Sequence, residues 1–257
     1  MTEPFTISPR ELMDQLGTPN APVLIDVSID QDIAADPYVI PTARRWPYTD
    51  VASLAKDLKD RDVVTICQKG RKLSQGAAAL LRTQGIFARA LAGGNIGWKN
   101  TGYPRIALHN LPSNSPGSRW VCDHRPEPST LATAWFIRRF VDPRSVFLFV
   151  ERDEVSSVAE KYGASPLQGA TIADISDVLG FEASVMTRFA QTVSAVRGNG
   201  FELKSEAHGL SAILYGLSHS FQTDLELLEA TMTFFDALYR WTRDQDTEKR
   251  PLNEAAT

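Results

Sequence analysis

The sequence predicts an α/β protein in two parts, a parallel-sheet N-terminal domain followed by a mainly helical α+β C-terminal domain. Three observations carry this expectation. Short continuous apolar runs at Pro22–Val27 and Val63–Ile66 alternate with stretches of helical period, the pattern of buried parallel strands joined by crossover helices. Residues 104–118 are rich in proline, serine and asparagine and hold no sustained period, as an interdomain linker would. From Phe181 onward the pattern is helical almost throughout. A chain of 257 residues has room for two domains of ordinary size. The expected bounds are 1–105 for the first domain, 106–118 for the linker, 119–244 for the second domain and 245–257 for a frayed tail.

Each element has its own justification. The first helix opens with Ser8 as N-cap, Pro9 at the first helical position and Glu11 closing a capping box, while Ile7 and Leu12 form a hydrophobic staple. The run that ends at Asp26-Val27 reads as a strand buried on both faces, and Val51–Leu58 has helical period. Val63–Ile66 repeats the strand form, stops at Cys67 and gives way to a helix over Leu73–Leu81. Phe87–Leu91 is a further short strand running into Gly93-Gly94. Beyond the linker, Thr130–Phe140 reads as a buried helix stopped by Asp142-Pro143, and Val146–Val150 as a strand. Asp153–Tyr162 reads as a capped helix ended by Gly163. Helices are expected near 182–196, 206–218 and 223–243, the last with an apolar stripe of Leu225, Leu228, Met232, Phe235, Leu238 and Trp241.

Composition excludes several classes. A net charge of −4 gives no general field for nucleic acid, so nucleic-acid binding is not expected. The start, Met1–Phe5, lacks the basic-then-apolar profile of a signal peptide, and no apolar run approaches a membrane span; a soluble, cytoplasmic chain with no membrane partner is the expectation. Only Cys67 and Cys122 are present, too few for a disulfide framework or a multi-cysteine metal centre. No metal and no cofactor is expected.

Cys67 stands out. It follows a buried strand and precedes Gln68, Lys69, Gly70, Arg71 and Lys72, which lead into a helix. Loop N–H groups, the N–H groups of the first helical turn and three cations all favour a thiolate there. Ligands of open α/β sheets gather at the carboxyl ends of strands, and Cys67 lies at such an end. Cysteine-dependent phosphatases also grip an anion in a loop before a helix, with five residues between the cysteine and an arginine; here that position is Leu73, and Arg71 comes too early.

Four segments in order carry a resemblance: Leu24-Ile25-Asp26-Val27; Ile40-Pro41-Thr42-Ala43; the Cys67–Lys72 loop with Ala77-Ala78; and Leu91–Trp98 running to Gly102-Tyr103-Pro104. Over residues 5–105 the chain resembles the rhodanese family. The resemblance implies a rhodanese-like parallel-sheet domain and a sulfurtransferase needing no cofactor. In it Cys67 takes a sulfane sulfur from a small donor such as thiosulfate, holds it as a persulfide and passes it to cyanide, a thiol or a protein acceptor. Gln68, Lys69, Gly70, Arg71 and Lys72 would form the substrate cradle. Ser28 and Lys72 stand where the family usually has arginines, and a lysine is a point charge without a bidentate fork.

Residues 118–243 resemble the C-terminal domain of the chromate-resistance protein family. The carrying residues are Trp120-Val121, Arg125-Pro126, Trp135–Pro143, Phe147–Val150 and Asp236–Tyr239. Ser129 and Thr133 replace the acidic residue and cysteine common in that family, and the stretches Asp174–Phe181 and Arg197-Gly198-Asn199 lack its histidine and cysteine. Arg125, Arg138 and Arg139 would supply an oxyanion pocket, or make ordinary ion pairs. On a strand Cys122 and His124 would face one side, as a thiolate pair or two metal ligands; the plainer reading is a strand edge without chemistry. Two functions follow: a sulfurtransferase centred on Cys67, or an accessory or regulatory protein of the chromate-resistance type that senses or binds an oxyanion.

Overall fold

A computed structural model describes residues 5–112, 117–181, 183–196 and 206–248. The chain divides into two compact units, one of Met1–Leu111 with the short segments Arg139–Val141 and Leu179–Phe181, the other of Pro112–Arg138, Asp142–Val178 and Glu182–Thr257.

In the first unit the order is β1 (Thr6–Ile7), α1 (Pro9–Gln15), β2 (Val23–Asp26), α2 (Asp30–Ala35), β3 (Tyr38–Val39), β4 (Arg44–Arg45), a 3₁₀ helix (Tyr48–Lys56), β5 (Asp62–Ile66), α3 (Lys72–Thr83), β6 (Phe87–Leu91), α4 (Gly94–Asn100), β7 (Ile106–Ala107) and a 3₁₀ turn (Leu108–Asn110). Five strands form one sheet in the order β1-β6-β5-β2-β4, parallel at every pairing. This is the expected rhodanese-like parallel sheet, with β5 in the middle. Val63, Val64 and Ile66 are fully buried, which is why their run is apolar without alternation.

Local signals explain the helices. The Ser8–Glu11 capping box forms, with the Glu11 N–H donating to Ser8 Oγ and the Ser8 N–H donating to Glu11 Oε2, and Ile7 and Leu12 are fully buried beside it. α3 buries Ser74, Ala77, Ala78 and Leu81, a stripe at helical spacing whose small members let the helix lie close on the sheet. The core of this unit gathers Ile25, Val27, Leu54, Val63, Ala77 and Leu81, with Cys67 among them.

Two expectations need correction here. The helical period near 51–58 belongs to a 3₁₀ helix, because the Ser53 hydroxyl donates to the Asp50 carbonyl at 2.7 Å and Val51 and Leu54 are buried at a spacing of three. The segment expected as linker from residue 106 begins as a strand instead. Ile106 and Ala107 are buried and pair antiparallel with β3, so backbone hydrogen bonding holds them in the first unit. Of the expected linker, residues 113–116 lie outside the described residues.

Further along the chain come β8 (Arg119–Asp123), α5 (Pro128–Phe136) continuing through a π-helical turn (Ile137–Val141), β9 (Val146–Val150), α6 (Val155–Tyr162), β10 (Ser165–Pro166), α7 (Ile172–Leu179), α8 (Ser184–Ser194), α9 (Glu206–Ser218) and α10 (Asp224–Glu248). β10, β8 and β9 form a second parallel sheet with β8 in the middle. Helices dominate the rest, the expected mainly helical α+β composition. Trp135 on α5 is fully buried, stacks on Phe189 with ring centroids 4.6 Å apart and donates its indole N–H to Asp236 at 2.8 Å. α6 ends at Gly163, whose φ of 56° is the left-handed cap anticipated there.

The stripe on α10 differs from the expected one. Leu228, Met232, Phe235 and Tyr239 form the buried row, whereas Leu225 is 48% and Trp241 39% exposed. At 3.6 residues per turn Trp241 falls on the opposite side of the helix from Leu228. Residues 245–248, expected as part of a frayed tail, are instead the last turn of α10, which runs to Glu248. Residues 249–257 and Arg197-Gly198-Asn199 lie outside the described residues. No helix among the described residues is long and apolar enough to cross a membrane.

Candidate functional site

Cys67 is the first residue beyond β5, at the carboxyl end of the middle strand, and is 5% exposed. Its Sγ lies 3.1 Å from Ser74 Oγ, a buried hydroxyl in the first turn of α3. The strand and helix are stitched together behind this contact, where Thr65 Oγ1 donates to the Ser74 carbonyl at 2.7 Å.

The intervening loop is gripped by α4. The N–H groups of Asn95 and Ile96 donate to the carbonyls of Cys67 and Gln68, each at 3.0 Å. A trans peptide points its N–H opposite its C=O, so the N–H groups of Gln68 and Lys69 are turned away from α4. The approach is too close for side chains. A Cβ on Gly70, at φ +64°, would overlap the Leu91 carbonyl and lie 2.6 Å from Gly94 N. One on Gly94, at φ +57°, would overlap the Cys67 carbonyl. Gly70, Gly93 and Gly94 are thus the parts of a backbone clasp on the cysteine loop.

Lys69, Arg71 and Lys72 are exposed around the loop, and none pairs with a carboxylate among the described residues. Lys72 is the first residue of α3 and Arg71 its N-cap, so both cations stand at the positive end of the helix. Gln68 is half-buried. Asp26, fully buried at the end of β2, accepts the Ser28 N–H at 2.8 Å and the Asn95 side-chain amide at 3.0 Å. The same amide donates to Ser28 Oγ at 3.2 Å, so Ser28 and Asp26 brace the helix that holds the loop.

The second unit places its candidates differently. Arg138 pairs with Glu229 at 2.6 Å and lies over the Phe147 ring. Arg125 lines a cavity of about 700 Å³ together with His124, His219 and Asp224, but neither Arg138 nor Arg139 is among its lining residues. Cys122 is fully buried in the middle strand β8, and burial first, then the charges of Asp123 and Asp224, push its thiol up to about 12. His124 lies past the end of β8, its Nδ1 2.6 Å from Asp224 Oδ2, so the Cys122–His124 strand pair does not form.

Comparison with known proteins identifies both halves. Residues 8–101 match the rhodanese-like domain and residues 120–242 match the ChrB C-terminal domain. The chain joins these two domains. It is 24% identical over 214 residues to Protein ChrB of Cupriavidus metallidurans, a match covering 74% of this chain and 65% of that protein. The chain thus spans less than two thirds of that relative's length. A rhodanese-related protein from Thermoplasma volcanium is similar at 22% identity, covering 40% of this chain and 97% of that one with a TM-score of 0.35. A rhodanese-like domain protein from Staphylococcus aureus is 24% identical over 36% of this chain and 89% of its own, with a TM-score of 0.33.

Sequence reasoning did not single out Ser74 or Asn95 in the rhodanese-like domain. Ser74 had a readable signal, since it continues the buried stripe of Ala77, Ala78 and Leu81 toward the loop. In the ChrB C-terminal domain Asp224 was missed, and nothing local announces a partner one hundred positions from His124.

Proposed function

We propose that the rhodanese-like domain is a sulfurtransferase that carries a sulfane sulfur on Cys67. The observation that bears most weight is the pairing of Cys67 Sγ with the Ser74 hydroxyl beside a loop that carries the exposed cations Lys69, Arg71 and Lys72. An anionic donor such as thiosulfate would be drawn by these cations, and its negative oxygens would meet the outward N–H groups of Gln68 and Lys69. With Cys67 only 5% exposed, the loop favours a small donor.

The Cys67 thiolate attacks the outer sulfur of thiosulfate, the S–S bond of the donor breaks, and its electron pair leaves with sulfite. The product is a Cys67 persulfide anion, whose terminal sulfur would be held by the loop N–H groups and whose inner sulfur stays beside Ser74. A nucleophilic acceptor then attacks the terminal sulfur, breaking the new S–S bond and returning the thiolate. Cyanide would leave as thiocyanate and a thiol, small or protein-borne, as a persulfide.

The test is intact-mass measurement after incubation with thiosulfate. Wild type should gain one sulfur and release it to cyanide, whereas Cys67→Ala should gain none. A wild type that takes up no sulfur, or a Cys67→Ala variant that takes up as much, defeats the proposal.

A second reading is an accessory or regulatory role of the chromate-resistance type, which the match of residues 120–242 to ChrB favours. In that reading Cys67 would sense oxidation, or an oxyanion would bind the second domain. Chromate or sulfate binding unchanged by Cys67→Ala, in a protein without sulfur uptake, would select the latter.

A further inference from the structure

The cavity of the ChrB C-terminal domain is separate from the Cys67 chemistry and has the size and mixed lining of a small-molecule pocket. We propose that it binds a small aromatic acid, with the carboxylate on Arg125 and a ring hydroxyl donating to a histidine.

The apolar part of the lining comes from Leu131, Leu214 and Leu227, with Tyr215 and Phe221 as aromatic neighbours. Leu214 and Leu227 are buried, whereas Tyr215 is 68% and Phe221 38% exposed, so the lining joins buried apolar surface to solvent-reached aromatic residues. Arg125 is exposed, with no acidic partner for its guanidinium among the described residues. Its backbone adopts a φ of +53°, a costly conformation for a residue with a side chain, and its N–H is held by Asp224 Oδ2 at 3.2 Å.

Two carboxylates in the lining oppose an anion, and both are engaged. Asp224 Oδ2 accepts from His124 Nδ1 at 2.6 Å as well as from the Arg125 N–H, and Glu127 has a partner of its own. The histidines are polarised in one sense. A carboxylate oxygen at His124 Nδ1 and the Tyr215 carbonyl, 2.9 Å from His219 Nδ1, both only accept, so each Nδ1 carries the hydrogen. In the neutral form of each ring, Nε2 is then an acceptor. The lining combines one unpaired cation, two acceptor nitrogens and apolar surface, which matches a carboxylate, a hydroxyl donor and an aromatic ring on one molecule. A tetrahedral oxyanion has only a handful of heavy atoms and no use for the leucines.

The experiment is a fluorescence titration of the full chain with 8-anilinonaphthalene-1-sulfonate, displaced in turn by 4-hydroxybenzoate, benzoate and sodium sulfate at matched ionic strength. Saturable one-to-one binding is expected, with 4-hydroxybenzoate displacing the dye better than benzoate, and sulfate failing to displace it. Arg125→Gln should weaken binding roughly tenfold through loss of a charge-assisted contact. Leu214→Trp should abolish binding by filling the cavity. Since Leu214 is buried, Ser211→Trp, on a half-buried lining position, provides the same block without a core change. Affinity unchanged by Ser211→Trp, affinity unchanged by Arg125→Gln, or displacement by sulfate as effective as by 4-hydroxybenzoate would each overturn the proposal. Cys67→Ala should leave every arm of the titration unchanged, which keeps this result independent of the sulfur-transfer test.

Discussion

Each cysteine is tied to the middle strand of a parallel sheet, Cys67 just past the end of β5 in the rhodanese-like domain and Cys122 within β8 in the ChrB C-terminal domain, and both are buried. Cys67 stands one residue beyond its strand, where the chain has turned into a loop. Its sulfur faces a hydroxyl, and exposed cations ring the loop. Cys122 is the fourth residue of its strand, fully enclosed, and Asp123 and Asp224 are the charges that act on it. A displacement of two residues relative to the strand's end thus separates a thiol that faces a hydroxyl from one whose enclosure raises its ionisation. Burial alone does not distinguish them; what the enclosing groups offer to a negative sulfur does.

The sharpest way to break this contrast is to dismantle the clasp that shapes the Cys67 loop. Gly94→Ala adds a Cβ that overlaps the Cys67 carbonyl at a positive φ. The strain and backbone shift should cost on the order of 3 kcal/mol or more. Sulfur uptake from thiosulfate should be lost, and the rhodanese-like domain should melt earlier, as read by mass spectrometry and thermal unfolding. Gly76→Ala, on the exposed side of α3 with nothing within 4 Å of the added Cβ, is the matched control and should leave sulfur uptake unchanged without lowering the melting temperature. A Gly94→Ala protein with wild-type sulfur uptake would show that the interlock does not shape the site.

The other cysteine makes a prediction about pH. In the unfolded chain a thiol ionises from about pH 9, whereas folded Cys122 stays protonated up to about 12. Between those values the unfolded state binds fewer protons than the folded one, so stability falls as pH rises. The contribution is complete below about pH 9 and is lost at up to about 1.4 kcal/mol per pH unit through that window. Urea unfolding of wild type and Cys122→Ala from pH 8 to pH 11 reads it as a difference in slope. Parallel slopes would mean that the thiol is not enclosed as described.

The contrast between the two cysteines was only half legible in the sequence. Cys67 could be placed because a four-residue apolar run leaves a strand one place to end, and glycine with three cations marks the turn that follows. The α1 start was equally readable, since Ser8, Pro9 and Glu11 act within one turn. Where the determinant is non-local the sequence was silent. β3, β4, β7 and β10 are two residues long, too short to show a period, and exist because a distant partner pairs with them. The ion pair of Arg138 was hidden for the same reason, because its partner Glu229 lies on another helix. His124 was read with Cys122, two residues away, although its partner is Asp224 on α10.

The finest test of the contrast is the hydroxyl that faces Cys67. If Ser74 holds the sulfur during transfer, removing its oxygen takes one hydrogen bond from a charged group, an effect of about tenfold in rate. Ser74→Ala should therefore slow persulfide formation from thiosulfate about tenfold in single-turnover measurements. The helix should tolerate the change, since Ser74 sits in a stripe with Ala77 and Ala78 and alanine favours the helix. Its carbonyl still accepts from Thr65, so the strand-to-helix stitch survives. Ser74→Thr, which keeps the hydroxyl, should recover part of the rate, and a loss caused by packing alone would show instead as a lower melting temperature with no recovery. An unchanged rate in Ser74→Ala would make the contact one of packing, and would leave the loop N–H groups and the three cations as what separates Cys67 from Cys122.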